Sequence, residues 1–362
     1  MRSPYQALYF EISGHCNARC AYCHSGVQRR ANAKFIDVRT FRDVLQRLLD
    51  NKVIQRGSVI SLYDWGEPFL HPHFREIVGI VNALGLRYAV STNSSRPPVF
   101  DRMLVKNLDH IIFSMPGFSQ ESYNRIHGFR FEDIKANIDG VVNGIRKHGF
   151  RGRFMISYHV YRFNVGEMKA CERFADERGI RFNPYYAILN HWWEMKAYLN
   201  NTLPEARRAA AERDLFTLEG IHQVLAEAPK SDYRCPQNNY LNIDENGEVV
   251  TCCQIPREHP EYSCGDALSG DLPAMLEKKV SQPVCKDCIG SGMAYFLNTA
   301  LRRPYFYLPS FMQRVIHFQH ALRRIERLGF RGLSVKIIKK VRRRPNAANK
   351  MKTVCACAPS GK

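Results

Sequence analysis

The sequence predicts an α/β protein: a partial parallel barrel of six βα units, a small cysteine-rich β-hairpin domain behind it, and a basic helical tail. Three observations carry that expectation. Short apolar runs alternate with amphipathic helical patterns through the first half of the chain, the texture of repeated βα units. Six of the 12 cysteines fall between Cys235 and Cys288. The charge is lopsided: residues 299–362 carry 16 Lys and Arg against one acid, Glu326, whereas residues 1–298 carry 37 bases against 33 acids.

A chain of 362 residues, 45% of them hydrophobic, can bury a substantial core, which excludes dominant disorder and a small disulfide scaffold. No run approaches the roughly 18–20 apolar residues of a spanning helix. Met-Arg-Ser-Pro-Tyr runs straight into the strand-like ALYFEIS without an apolar signal region, so export is not expected and the location is read as cytoplasmic. In that compartment cysteines serve as metal ligands or reactive thiols more often than as disulfides.

The strands are expected at Leu8–Ser13, Ser58–Tyr63, Arg87–Thr92, His110–Met115, Arg153–Tyr161 and Arg181–Ile188. Amphipathic helical patterns lie between them near 39–50, 73–84, 98–107, 131–148 and 165–178. Six strands are two short of a closed eight-stranded barrel, and ligands of such sheets gather at the carboxyl ends of the strands. Residues 191–230 read as a mostly helical polar connector, punctuated by Pro204 and ended by Pro229. The expected division is thus a barrel over 1–190, the connector over 191–230, a cysteine-rich domain over 231–298 and the tail over 299–362.

The strongest local signal is His15-Cys16-Asn17-Ala18-Arg19-Cys20-Ala21-Tyr22-Cys23, directly after the first strand. Three thiols in Cx3Cx2C spacing can hold three corners of a cuboidal iron–sulfur cluster, leaving one iron open. A zinc knuckle completed by His15 or His24 fits the same spacing. Asp64-Trp65-Gly66-Glu67-Pro68 follows the second strand, Ser91-Thr92-Asn93 ends the third, and Ser114 lies in the fourth. Together these residues resemble the radical S-adenosylmethionine (SAM) superfamily over roughly residues 7–190, and that family's partial (βα)6 barrel agrees with the six strands. The resemblance implies a 4Fe–4S cluster on Cys16, Cys20 and Cys23. It also implies S-adenosylmethionine held through Tyr22, Gly66, Glu67, Pro68, Asn93 and Ser114, and a reducing partner such as flavodoxin or ferredoxin.

Cys235, Cys252, Cys285 and Cys288 form the second constellation. The intervening LNIDENGEVV reads as a hairpin turning at Asn246-Gly247. This part resembles the SPASM domain, and because no further cysteine follows Cys288 before Cys355 it resembles the shorter Twitch form. That implies a second, auxiliary 4Fe–4S cluster with all four sites filled; a four-cysteine zinc site is the other reading.

Of the remaining thiols, Cys171 reads as a buried hydrophobe. Cys253 is expected to alternate with Cys252 on a strand and so point away from the cluster. Cys264 is the candidate hydrogen donor for an epimerisation, or else a packing residue. His159, expected on the barrel's inner face, is read either as a general base near neutral pH or as a core histidine.

In the tail, Phe311, Val315, Phe318, Leu322 and Ile325 recur at helical spacing opposite arginines, a pattern suited to an anionic membrane surface at the inner face of the membrane. Packing on the protein's own body and RNA contact are the other readings. The function expected is oxidation (dehydrogenation) or epimerisation of a substrate carbon by a 5′-deoxyadenosyl radical, on a saccharide or lipid-linked glycan. The alternatives are a peptide- or RNA-modifying radical enzyme, or a non-catalytic iron–sulfur electron carrier, which would have no need of the Gly66-Glu67-Pro68 loop.

Overall fold

The structure, a computed structural model, describes residues 5, 7–27, 33–189, 192–230 and 232–300. The basic tail beyond Ala300, with Cys355 and Cys357, and His191 of the connector lie outside the described residues.

Six strands form in the order expected, β1 (Ala7–Phe10), β2 (Val59–Ser61), β3 (Arg87–Thr92), β4 (Leu108–Met115), β5 (Arg153–Val160) and β6 (Arg181–Tyr186), and each pairs in parallel with the next. The helices, in chain order, are α1 (His24–Val27), α2 (Val38–Asp50), α3 (Phe74–Ala83), α4 (Arg102–Val105), α5 (Gln120–Arg125), α6 (Phe131–Arg146) and α7 (Met168–Glu177). In α2 the Asp37 carboxylate caps the Thr40 amide, and Phe41, Val44, Leu45 and Leu48 are buried at helical spacing. The same stripe recurs in α6 through Phe131, Ile134, Ile138, Val141, Val142 and Ile145. The pattern near 98–107 yields only the single turn α4, because Pro97 and Pro98 hold off the helix until Asp101 caps it.

Side-chain alternation divides the sheet into two faces. Leu8, Phe10, Ile111, Phe113, Met115, Ile156 and Tyr158 are buried. The other face carries Tyr9, Ser91, Ser114, Ser157 and His159, all only half-buried. An apolar helix-covered face and a polar open face are what a barrel interior that receives a ligand requires.

The connector contains α8 (Trp192–Leu199), α9 (Glu205–Asp214) and α10 (Ile221–Glu227), and it is less polar in place than in sequence: Trp192, Met195, Ala211, Leu215 and Phe216 are buried. The cysteine-rich part is not set apart from the barrel. Its first strand, β7 (Tyr240–Ile243), pairs in parallel with the free edge of β1, matching Ala7 with Tyr240 and Phe10 with Ile243. Strand β8 (Glu248–Val250) returns antiparallel through the expected turn, where Gly247 takes a φ of 83° that favours glycine, and β9 (Ser263–Asp266) adds antiparallel to β8. One sheet therefore runs β6-β5-β4-β3-β2-β1-β7-β8-β9, with α11 (Leu272–Ser281) and α12 (Pro283–Gly290) following it. No helix among the described residues is long and apolar enough to cross a membrane.

Candidate active site

The loop after β1 carries Cys16, Cys20 and Cys23, all half-buried. Its course is fixed by backbone bonds: Gly14 N–H donates to Lys34, Cys23 N–H to Cys20, and Arg19 N–H to the carbonyl of His127. Asn93, at the end of β3, donates from Nδ2 to Asn17 Oδ1 at 2.9 Å and lies 3.9 Å from the Cys16 sulfur. Asn17 in turn donates to Ser95 Oγ at 2.9 Å. Burial pushes the Cys16 thiol up to about 12, with Glu67 and Cys23 adding to the shift, and burial with its two sister thiols holds Cys20 well above the usual range. Neighbouring thiols of which Cys16 and Cys20 resist ionisation suit a cationic group that would take them as thiolates. His15, one of the two histidines that could complete a zinc knuckle, packs instead against the Phe35 ring at 4.6 Å.

The second loop, Asp64–Pro68, lies directly against the first. A Cβ on Gly66 would stand 1.7 Å from the Ser13 carbonyl oxygen, so only glycine allows this approach. Glu67 N–H donates to the His15 carbonyl at 2.8 Å. The Glu67 carboxylate is buried and accepts from Thr92 Oγ1 at 2.8 Å, the Asn93 amide at 2.7 Å and the Phe69 amide at 3.2 Å. Burial outweighs these donors and lifts its pKa to about 7. Two of the three bonds fall on Oε1, which leaves Oε2 with room for one more donor, such as an ammonium. Pro68 opens the one-turn helix Pro68–Leu70, which the same carboxylate caps.

Tyr22 is turned outward from the thiols. Its hydroxyl donates to Asp214 Oδ2 and lies within 3.0 Å of the Ala210 carbonyl, while Arg207 lies over its ring and donates to the Ala21 carbonyl. Helix α9 thus clamps the cysteine loop through the tyrosine side chain, leaving the Tyr22 backbone as the part available to a ligand.

Ser114 lies on the half-buried face of β4, opposite Ser157 of β5. Beyond it, the hydroxyl of Tyr185 on β6 meets His159 Nε2 in a short contact. Of the two readings of His159, general base or core histidine, the second is favoured: burial pushes its pKa down to about 4. It serves as the partner of Tyr185, a residue the sequence did not single out.

Cys235, Cys252, Cys285 and Cys288 line one cavity, together with Trp192, Thr251 and Ile289. They come from three segments: the turn before β7, the turn after β8, and α12. Asn298 Nδ2 lies 3.7 Å from the Cys235 sulfur. Burial pushes Cys285 up to about 12, with Cys252 adding to the shift, and raises Cys235 and Cys288 as well. Lys279, only 1% exposed, opposes these shifts at Cys235 and Cys285 and donates to the Gln237 carbonyl at 2.9 Å. Four thiols around one space, with a buried ammonium beside them, fit a fully ligated cluster. Among the described residues no group of three or more His, Cys, Asp or Glu side chains closes tightly enough to hold a single metal ion.

The expectation that Cys252 and Cys253 share a strand fails, although Cys253, unlike Cys252, is not among the residues that line the cavity. Strand β8 stops at Val250, so Cys252 and Cys253 do not alternate on a strand; they sit in a turn closed by the Ile255 amide on the Cys252 carbonyl, and Cys253 donates to the Cys252 sulfur. Cys264 does not line the cavity. It is 6% exposed on the outermost strand, 3.5 Å from Thr251 Oγ1, which favours the packing residue over the hydrogen donor among its two readings.

Sequence reasoning also missed Glu11. Its buried Oε1 accepts the amides of Trp65 at 3.0 Å and Gly66 at 2.8 Å, fixing the loop that approaches the cysteines. The signal was present as an acid interrupting the apolar strand run ALYFEIS.

The radical SAM superfamily model matches residues 10–174, the span of this loop-and-strand arrangement. Similar chains include a PqqA peptide cyclase of Gluconobacter oxydans, 25% identical over 266 residues that cover 69% of this chain and 70% of the relative. A probable GTP 3′,8-cyclase of Methanothermobacter marburgensis is 27% identical over 150 residues, 39% of this chain and 45% of the relative. Among solved structures, anSMEcpe with bound AdoMet superimposes with a TM-score of 0.51 at 12% identity, covering 78% of this chain and 82% of that one. Streptococcus suis SuiB bound to the precursor peptide SuiA gives 0.51 at 14% identity, covering 80% and 67%. These two likenesses are likenesses of fold.

Proposed function

Since residues 10–174 form a radical SAM domain, we propose that this protein is a radical SAM enzyme that oxidises a peptide substrate. The observation that carries the radical chemistry is the convergence of three thiols, the Gly66-Glu67 loop and Asn93 at the carboxyl ends of β1, β2 and β3. The peptide reading rests on the similarity to two PqqA peptide cyclases, over 266 and 259 residues. It replaces the saccharide or lipid-linked glycan expected from the sequence, which rested on the character of the tail.

In this reading Cys16, Cys20 and Cys23 hold a 4Fe–4S cluster, and Cys235, Cys252, Cys285 and Cys288 hold a second. When bound, these groups supply the electron that cleaves S-adenosylmethionine to a 5′-deoxyadenosyl radical and an acceptor for the electron left on the substrate. The chain's residues do the rest. Glu67 receives the ammonium of S-adenosylmethionine on its open Oε2 position, Gly66 lets the loop close on the cysteines, and Asn93 shields Cys16. Ser114, Ser157 and the Tyr185–His159 pair present neutral polar groups to the substrate across the barrel interior. After hydrogen abstraction the substrate loses one further electron and one proton, an oxidation by two electrons overall.

The test is transfer of deuterium into 5′-deoxyadenosine from labelled candidates, short precursor peptides against oligosaccharides, with anaerobically reconstituted protein. Label from a peptide, with product lighter by two hydrogens, is the expected result. Label from an oligosaccharide alone overturns the peptide reading.

A further inference from the structure

The loop that approaches the thiols is tied to the cysteine-rich part through a buried cluster of charge. Arg257 lies five residues after Cys252. Its guanidinium makes a short contact with Glu245 and stands 3.4 Å from Asp244 Oδ2 and 3.7 Å from Glu11 Oε2. The carboxylates are almost fully enclosed, Glu11 and Asp244 at 2% side-chain exposure and Glu245 at 0%. Each carboxylate is committed to a different part of the fold. Glu11 accepts the Trp65 and Gly66 amides. Asp244 accepts the Asn246 and Glu248 amides and so shapes the turn between β7 and β8. Glu245 reaches Gly14, where a Cβ would stand 2.2 Å from its Oε1.

Three enclosed carboxylates gathered on one guanidinium need that cation to offset their mutual repulsion. Arg257 is a cation shared by all three, with a planar fork suited to several acceptors at once. Withdrawing it would leave the carboxylates without their shared partner and drive them apart. Glu11 is the one whose displacement reaches the ligand site, because its other oxygen fixes Gly66.

We propose that Arg257 is a positioning residue for S-adenosylmethionine: by holding Glu11 in a buried ion cluster with Asp244 and Glu245, it sets the Trp65–Glu67 loop in its binding conformation. This rests on the radical SAM reading above and extends it. The segment after Cys252 then tunes affinity through Glu11 without touching the ligand.

The experiment uses the full chain, reconstituted anaerobically, as wild type, Arg257→Met, Arg257→Lys and Glu11→Gln. Binding of labelled S-adenosylmethionine is followed by equilibrium dialysis, with iron content and thermal melting recorded alongside. In Arg257→Met the Kd is expected to rise about tenfold or more, as for loss of one partner from a buried charge cluster. Arg257→Lys, which keeps the charge, should recover most of that loss, and the effect in turnover should fall on KM more than on kcat. If Arg257→Met does not fold, Glu11→Gln carries the test. It keeps an acceptor for the two amides but loses the charge that Arg257 holds, and its Kd should rise severalfold. An unchanged Kd in a folded, iron-loaded Arg257→Met, or in Glu11→Gln where the first does not fold, overturns the inference while the radical SAM reading stands. A wild type that binds no S-adenosylmethionine overturns both.

Discussion

The two cysteine centres use the same donor atom and are assembled in opposite ways. Cys16, Cys20 and Cys23 come from one loop, and every neighbouring element serves to hold that loop: Asn93 from β3, the His127 carbonyl after α5, Tyr22 clamped by α9, and Gly66 pressed against Ser13. Cys235, Cys252, Cys285 and Cys288 are gathered from three separate segments around a cavity, with Lys279 and Asn298 beside them. The first centre is a short motif kept open on one side by polar residues that can meet a ligand. The second is a product of tertiary folding, and under the proposed function its four thiols would fill every ligand position of a cluster. Under the proposed function, the centre that binds the cofactor is built locally and braced, and the one that passes charge is built globally and closed.

The sharpest way to break this comparison is to remove one thiol from each side. Cys20→Ala should reduce 5′-deoxyadenosine formation on chemical reduction to background. Cys288→Ala should retain that cleavage while losing peptide product, and iron should fall from about eight per chain to about four. If Cys288→Ala also abolishes cleavage, the two centres do not divide the chemistry in this way. A tightly bound zinc with only four irons in the wild type would make the second centre structural.

A smaller effect probes the bracing. In Gly66→Ala the new methyl meets the Ser13 carbonyl, and the loop must move; we expect a loss of about 3 kcal/mol or more in denaturant melts and a collapse of S-adenosylmethionine binding. Gly290→Ala in α12 is the control from the other region. Its Cβ meets nothing within 4 Å, and stability should change little.

The smallest effect concerns charge. Glu67 has its pKa raised from 4.5 to about 7 by burial, so the folded state holds a proton that the unfolded chain has released. Its contribution is therefore complete below about pH 4.5 and is lost as pH rises through about 7. Stability of the ligand-free protein should fall over that window by about 2–3 kcal/mol. Glu67→Gln should flatten this slope, and an identical pH profile in the variant would show that Glu67 is ionised throughout. Affinity for S-adenosylmethionine should run the other way, rising with pH as the carboxylate becomes available to an ammonium.

The same contrast explains what could be read in advance. All six barrel strands were legible because each alternates or runs apolar between turn signals, and the first centre was legible because its three thiols are neighbours in sequence. The members of the second were visible as cysteines, but their common cavity depends on β7 docking on β1, which no local pattern encodes. Cys253 was misjudged because the end of β8 at Val250 is set by a turn and not by residue propensity. His159 was identified by position, yet its weak basicity comes from the packing around it, which sequence does not contain. Glu11, Lys279 and Arg257 share one cause for having been missed: an isolated charge reads as solvated until the fold encloses it.

The pairing of β1 with β7 also has a consequence for how the chain reaches its native state. Ala7 lies in the first barrel strand, and its partner Tyr240 emerges from the ribosome only after the whole barrel has been made. Parallel pairing between such distant segments carries the entropy of closing a very long loop, so this step belongs late in folding. Until it happens β1 is an unprotected edge, with a row of backbone donors and acceptors open to any passing strand. Fragments that end before Tyr240 should therefore aggregate even though every barrel strand is present. The loop carrying Cys16, Cys20 and Cys23 follows that same strand, so the late pairing also anchors the start of the first centre, through the Glu11 N–H on the Ile243 carbonyl.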